Sequence, residues 1–289
     1  ARQAVTDGPL VAIMTIAMMV LALALCDPGH KKTLSPLLRV GTCTLFLLVA
    51  VIQLWVILPL DRSPNVIRDY PGSSGSWFAF QWWIQSIFEV GRGKGWFLAT
   101  LISPLVLWTG YLISRLKTNR SLFFVIFYIC CGLLVSAKGW LGWAPMGLSI
   151  LGFLIVTNEW RTLGEVHIPL GLLIVLLTGH IWVIAMLCGH HPGWYNRFII
   201  HDHYQRLFAG VHDLDDGGFE YFFHWLGVGM IPWIALVPTA IATTLARLRR
   251  RLGDDPQKRF ELLLLLWATL GFFLFSKSST KFHHYIFPV

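Results

Sequence analysis

The chain has 289 residues, of which 55% are hydrophobic and only 13% charged, with a mean hydropathy of +0.62. Soluble domains carry about 25% charged residues, so a water-exposed globule, a disordered chain and a disulfide-stapled secreted module are all disfavoured. An all-α, polytopic membrane bundle is expected. The net charge of +8 is read as the positive-inside bias of such a protein, and no nucleic-acid partner is expected.

A membrane helix needs roughly 20 apolar residues, within about 17–25. Eight candidate runs occur in chain order: 10–26, 40–60, 96–113, 122–137, 141–156, 168–188, 222–246 and 262–275. The runs at 122, 141 and 262 are short. The turn Lys138-Gly139-Trp140 between two of them is tight. All five cysteines (Cys26, Cys43, Cys130, Cys131, Cys188) fall in or at the end of apolar runs, so they are read as packing residues.

Alternating the connections tests this layout. Segments 27–39, 114–121, 157–167 and 247–261 would share a side, with thirteen basic and six acidic residues, a net +7. The opposite side holds ten basic and nine acidic residues, a net +1. The first set is therefore expected in the cytoplasm, which turns 1–9, 61–95, 138–140, 189–221 and 276–284 outward. Segment 77–90 is rich in Trp and Phe but interrupted by Gln81, Gln85 and Glu89. It reads as a re-entrant or surface-lying helix, with an ordinary loop anchored by tryptophans as the equal alternative.

The outward side holds the polar residues with chemical potential. Before the first run stands Arg2-Gln3-Ala4-Val5-Thr6-Asp7-Gly8-Pro9. A carboxylate at a span's mouth is costly unless used or paired, although Asp7 and Pro9 equally suit a helix start. Lys138 in its hairpin can snorkel or meet an anionic headgroup. In the stretch from Trp194 to Leu207, Asp202 and Arg206 stand at i, i+4, and Asn196, His203 and Arg206 recur at about α-helical spacing. Arginine binds phosphate bidentately and stays charged, making Arg197 and Arg206 plausible phosphate anchors. Their alternative role is simple headgroup contact. The pattern His201-Asp202-His203 has zinc-type ligands but no HExxH-like helical pair, so a metal is the weaker reading there. At the end, Lys277, Lys281, His283 and His284 flank the last run. No Walker or dinucleotide loop and no G-x-S-x-G motif occurs.

Four of these segments resemble one family. Residues 1–9 are similar to the "RQA-x-TD-x-P" helix entry of bacterial family 39-type glycosyltransferases, relatives of the dolichyl-phosphate-mannose protein mannosyltransferases and of the lipid A aminoarabinose transferases. Ser136-Ala137-Lys138-Gly139 resembles their "AKG" hairpin. Pro192-Gly193-Trp194-Tyr195 followed by residues 197–207 resembles "PWY…F-x-x-H-[DE]-H-x-x-R". Residues 279–288 resemble "K-[FL]-x-x-Y-x-x-P". Gly8 and Gly193 depart from the usual pattern. The four motifs fall in the family's order over nearly the whole chain.

The resemblance implies a GT-C fold and transfer of a sugar, with inversion, from a polyprenyl-phosphate donor to an acceptor hydroxyl. The acceptor would be a lipid A-like glycolipid, a polysaccharide or a protein Ser/Thr. The implied place is the outer face of a bacterial inner membrane. It also implies roles: Asp7 as a second acidic site residue beside the catalytic base; Arg206, His203, Lys281, Arg197 and Lys138 for the donor phosphate; and His201, Asp202, Tyr195 and His283 around the substrate. No cofactor is assigned, and a divalent cation stays open. The family's usual base lies in an earlier outward loop, so residues 1–289 are expected to be one membrane glycosyltransferase domain cut at both ends, inactive alone. A polyprenyl-linked sugar transporter or flippase is the alternative, and a membrane metalloenzyme using the outward histidines a third.

Overall fold

The computed structural model describes residues 2–27, 34–57, 94–181, 183–184, 196–205, 220–248 and 255–277, and among them there is helix but no strand. Segment 77–90 lies outside the described residues. The long helices are α1 (Arg2–Cys26), α2 (Pro36–Ile57), α3 (Lys94–Ser114), α4 (Asn119–Lys138) and α5 (Ala144–Thr157). The short α6 (Leu163–Val166) leads into α7 (Ile168–Val175), which continues as a π-helical segment, Leu176–His180. A second π-helix covers Asn196–Gln205, followed by α8 (Glu220–Gly229), α9 (Val237–Leu248) and α10 (Pro256–Lys277).

Each of the eight apolar runs is mainly helical over its described residues, but not all are straight rods. Among the described residues, four helices can cross a membrane by length and composition: Pro9–Cys26, Pro36–Trp55, Asn119–Ala137 and Pro256–Lys277. Two more crossings arise if each bent pair counts as one, Trp160–Val166 with Ile168–His180 at 47° and Glu220–Gly229 with Trp233–Arg247 at 113°. The continuous span expected over 222–246 is thus corrected to two helices at a sharp angle. Gly227 and Gly229 weaken the helix, and Pro232 has no N–H to continue it. Leu98–Ser114 and Ala144–Thr157 are apolar but shorter than a standard crossing.

The first helix also differs from expectation. It begins at Arg2, so Asp7 and Pro9 lie inside it rather than at its cap. Its apolar, span-like part begins at Pro9.

Helix α4 is the axis of the bundle. One of its faces joins Leu10, Met14, Leu21 and Leu25 of α1, Phe153 of α5 and Leu263 of α10 through Phe124, Phe127, Cys131 and Leu134. Its other face joins Phe46 and Ala50 of α2, Val106 of α3 and Ile174, Leu177 and Ile181 through Leu122, Val125 and Ile129. The outer helices leave large apolar side chains uncovered, among them Leu37, Trp55, Leu107 and Leu172, as lipid-facing surfaces do. Lipid offers little hydrophobic drive for helix association, so small residues must allow close approach. A Cβ on Gly179 would meet the backbone carbonyl of Gly132, and a Cβ on Gly171 would enter the Tyr128 ring. Those two glycines let α4 lie directly against the α7 segment.

The four connections that alternation assigned to one side are tied together at one end of the bundle. The Ser35 N–H donates to Asn119 Oδ1 at 2.8 Å. Arg120 Nη1 donates to Glu165 Oε2 at 2.7 Å, and Nη2 to Thr162 Oγ1 at 3.3 Å. Ser121 Oγ lies 3.0 Å from His167 Nε2. Arg259 forks onto Glu159 at 2.6 and 2.7 Å and also donates to the Leu25 carbonyl at 2.9 Å. Arg120 is 1% and Arg259 3% exposed, a burial that only paired charges tolerate.

Candidate functional site

The opposite end of α4 carries the hairpin. Gly139 caps α4 with φ +76°, and its N–H donates to the Val135 carbonyl at 2.9 Å. A 3₁₀ turn, Trp140–Gly142, then leads to α5. Glycine is required twice over. Positive φ is strained for an L side chain, and a Cβ there would collide with Nε2 and Cε1 of His203.

The histidine that fills this space belongs to the π-helix Asn196–Gln205. Its Nε2 accepts the Trp140 backbone N–H at 3.0 Å, and its Nδ1 meets the Phe198 carbonyl at 2.5 Å. A carbonyl only accepts, so Nδ1 carries the proton and the ring is the neutral Nδ1–H tautomer. Phe198 stacks edge-on to His203 with centroids 4.6 Å apart, and Trp140 stands 5.1 Å from the same ring. Residues five apart thus share a face. This helix follows the i→i+5 pattern; the i, i+4 pair expected of Asp202 and Arg206 lies outside the described side chains.

A further histidine, absent from the residues singled out in the sequence, completes the arrangement. His180 ends the π segment after α7, and its Nε2 accepts the Trp140 indole N–H at 2.8 Å. Its Nδ1 faces the Val175 carbonyl at 3.2 Å, again five residues back, and the two rings stack at 27° with centroids 6.3 Å apart. The available signal was an ionisable residue inside an apolar run, which is costly in a membrane and marks a functional position by default.

The structure therefore joins two of the four resemblance motifs: Gly139 of the hairpin meets His203 of the outward helix. It engages both ring nitrogens of His203 with backbone groups, so that this ring holds the hairpin. Helix α1 comes to the same end, since a Cβ on Gly142 would stand 3.6 Å from Leu10 Cδ1. Asp7 is one turn further along that helix. His201 is half-buried on the π-helix. Tyr195, Arg206, Lys281 and His283 lie outside the described residues, as do the side chains of Asp7, Lys138, Arg197 and Asp202. Among the described residues no three His, Cys, Asp or Glu side chains group to hold a metal ion.

No protein-family model matches the chain. Among curated proteins, it is 29% identical over 165 residues to the undecaprenyl phosphate-alpha-4-amino-4-deoxy-L-arabinose arabinosyl transferase of Edwardsiella ictaluri, covering 57% of this chain and 28% of that protein. It is 31% identical over 172 residues to the second such transferase of Sodalis glossinidius, covering 59% of this chain and 29% of that one. A crystal structure of ArnT from Cupriavidus metallidurans bound to undecaprenyl phosphate superposes with a TM-score of 0.49 at 20% identity, over 86% of this chain and 43% of that chain. The aligned part spans less than a third of the length of these curated relatives. The resemblance read from the motifs is thus carried by aligned sequence.

Proposed function

We propose that this chain forms part of a membrane glycosyltransferase that moves a sugar from a polyprenyl-phosphate donor to an acceptor hydroxyl. The relatives' names point to an aminoarabinose on undecaprenyl phosphate as the donor. A lipid A-like glycolipid is the favoured acceptor, ahead of a glycan or a protein side chain. The observation that carries the reading is the seating of the Gly139 hairpin on His203, which brings two separate family motifs to one end of an apolar bundle. That end is the one that faces the periplasm, because the opposite end gathers the basic connections.

The chemistry follows from what the donor leaves behind. Departure of a sugar from a polyprenyl phosphate builds negative charge on the phosphate oxygens, and fixed cations stabilise that charge. Lys138, at the end of α4, and Arg206, just after the π-helix, fit this role with Arg197 and Lys281. Asp7, in the first helix at the same end, orients the acceptor or a cation beside a carboxylate that takes the acceptor's proton. His201, Asp202, Tyr195 and His283 shape the surrounding surface.

The test uses the full-length protein in proteoliposomes with labelled polyprenyl-phosphate sugar. Release of polyprenyl phosphate is expected, and Arg206→Ala or Asp7→Asn should each lower it by about tenfold or more, a loss of about 1.4 kcal/mol in transition-state stabilisation. Unchanged release in both variants overturns the residue roles. Movement of intact donor across the bilayer without release would establish the transporter instead.

A further inference from the structure

We infer that His180 is a positioning residue of the site proposed above, acting through Trp140 to fix the hairpin that carries Lys138. The inference rests on that functional reading for its consequence, but on the described geometry for its substance.

Trp140 has two N–H groups, and each is held by a different histidine. The backbone N–H goes to His203 at 3.0 Å and the indole N–H to His180 at 2.8 Å. Each acceptor ring is itself oriented by a backbone carbonyl, that of Phe198 or that of Val175. Two elements far apart in sequence thus grip one residue, one by its backbone and one by its side chain, at the short hairpin.

The surrounding sequence makes little sense without this grip. The second half of the 168–188 run is otherwise apolar, and a histidine there has a desolvation cost that leucine would avoid. The π-helical widening of Leu176–His180 matters too, because it sets the His180 ring against the carbonyl five residues back and turns Nε2 outward to Trp140. Such single-turn π segments recur at functional sites. The tight Gly132–Gly179 crossing holds the same turn against α4, so His180 and the hairpin are referred to one rigid helix. Since Lys138 is the last residue of α4 and Gly139 immediately follows it, loss of the indole bond frees the hairpin at its base. Misplacement of a charged group by about 1 Å can cost about a hundredfold in rate.

The experiment uses the full-length protein in proteoliposomes, with Trp140→Phe, His180→Leu, their double variant and His180→Gln. Phenylalanine keeps an aromatic ring but lacks the indole donor; glutamine keeps an acceptor for it. Trp140→Phe and His180→Leu are each expected to lower kcat by about tenfold with KM changed less than about twofold. The double variant should be no slower than the slower single, and His180→Gln should recover activity to within about threefold of wild type. Losses that multiply in the double variant, or no recovery with glutamine, overturn the inference.

A second readout does not depend on activity. In protein labelled with ¹⁵N-tryptophan, the Trp140 indole resonance is the one lost in Trp140→Phe. It should shift in His180→Leu and return towards its original position in His180→Gln. An indole resonance unmoved in His180→Leu overturns the grip itself. Wild-type protein that transfers no sugar overturns the proposed function, and with it the catalytic consequence, while the resonance still judges the contact.

Discussion

The two ends of α4 solve the problem of polar groups in an apolar bundle in opposite ways. At the Asn119 end, buried arginines pair with carboxylates that reach the surface: Arg120 with Glu165 and Arg259 with Glu159. At the Lys138 end the described polar contacts are neutral, with two histidines accepting from one tryptophan. The first arrangement ties connections to one another. The second holds a short hairpin in one place. Stability should therefore concentrate at the first end and catalytic geometry at the second.

Substitutions can break that contrast. The largest effect is expected from Glu159→Gln, which removes the carboxylate charge onto which the buried Arg259 guanidinium forks. Removing one partner of a buried pair costs about 3–5 kcal/mol, and the thermal midpoint in detergent should fall steeply while the kcat of the surviving protein is unchanged. Gly179→Ala comes next, because its Cβ meets backbone rather than a movable side chain. Overpacking of this kind costs about 1–3 kcal/mol, and both midpoint and activity should fall.

Gly139→Ala should separate the two ends most clearly. Strain at positive φ costs about 1–3 kcal/mol, and the displaced His203 ring would move the hairpin. A loss of kcat larger than the loss of stability predicts is expected; proportional losses would erase the distinction between the ends. Thr162→Val removes one hydrogen bond to Arg120, for about 1 kcal/mol, with no change in kcat. The smallest effect is expected from Arg247→Ala. Its pair with Glu261 is largely exposed on the arginine side, and such pairs contribute about 0–1 kcal/mol.

Much of this plan was legible beforehand. Hydropathy alone located the apolar helices among the described residues, and alternation of charge grouped the four connections that the structure binds together through Ser35, Asn119, Arg120, Glu159, Glu165 and Arg259. The tight turn at Lys138-Gly139-Trp140 was legible because two apolar runs are separated there by three residues. The break between α8 and α9 was not, since Gly229 and Pro232 sit in a stretch whose average hydropathy equals that of a straight span. His180 was passed over for a related reason. A window average registers one polar residue among many apolar ones as noise, and does not say which direction its ring faces.

What the sequence determined by itself is the solvent, the helical content and the side of the bundle on which charge gathers. These depend on composition and on the order of polar and apolar stretches, which any folded arrangement of the chain must respect. What only the tertiary structure decided is which polar residues act together. Trp140, His180 and His203 lie 40 and 63 residues apart along the chain. Their meeting depends on two π-helical turns and on glycines that admit a neighbouring ring or backbone. The α-helical period predicts neither feature, because both arise from contacts between segments rather than from the pattern within one.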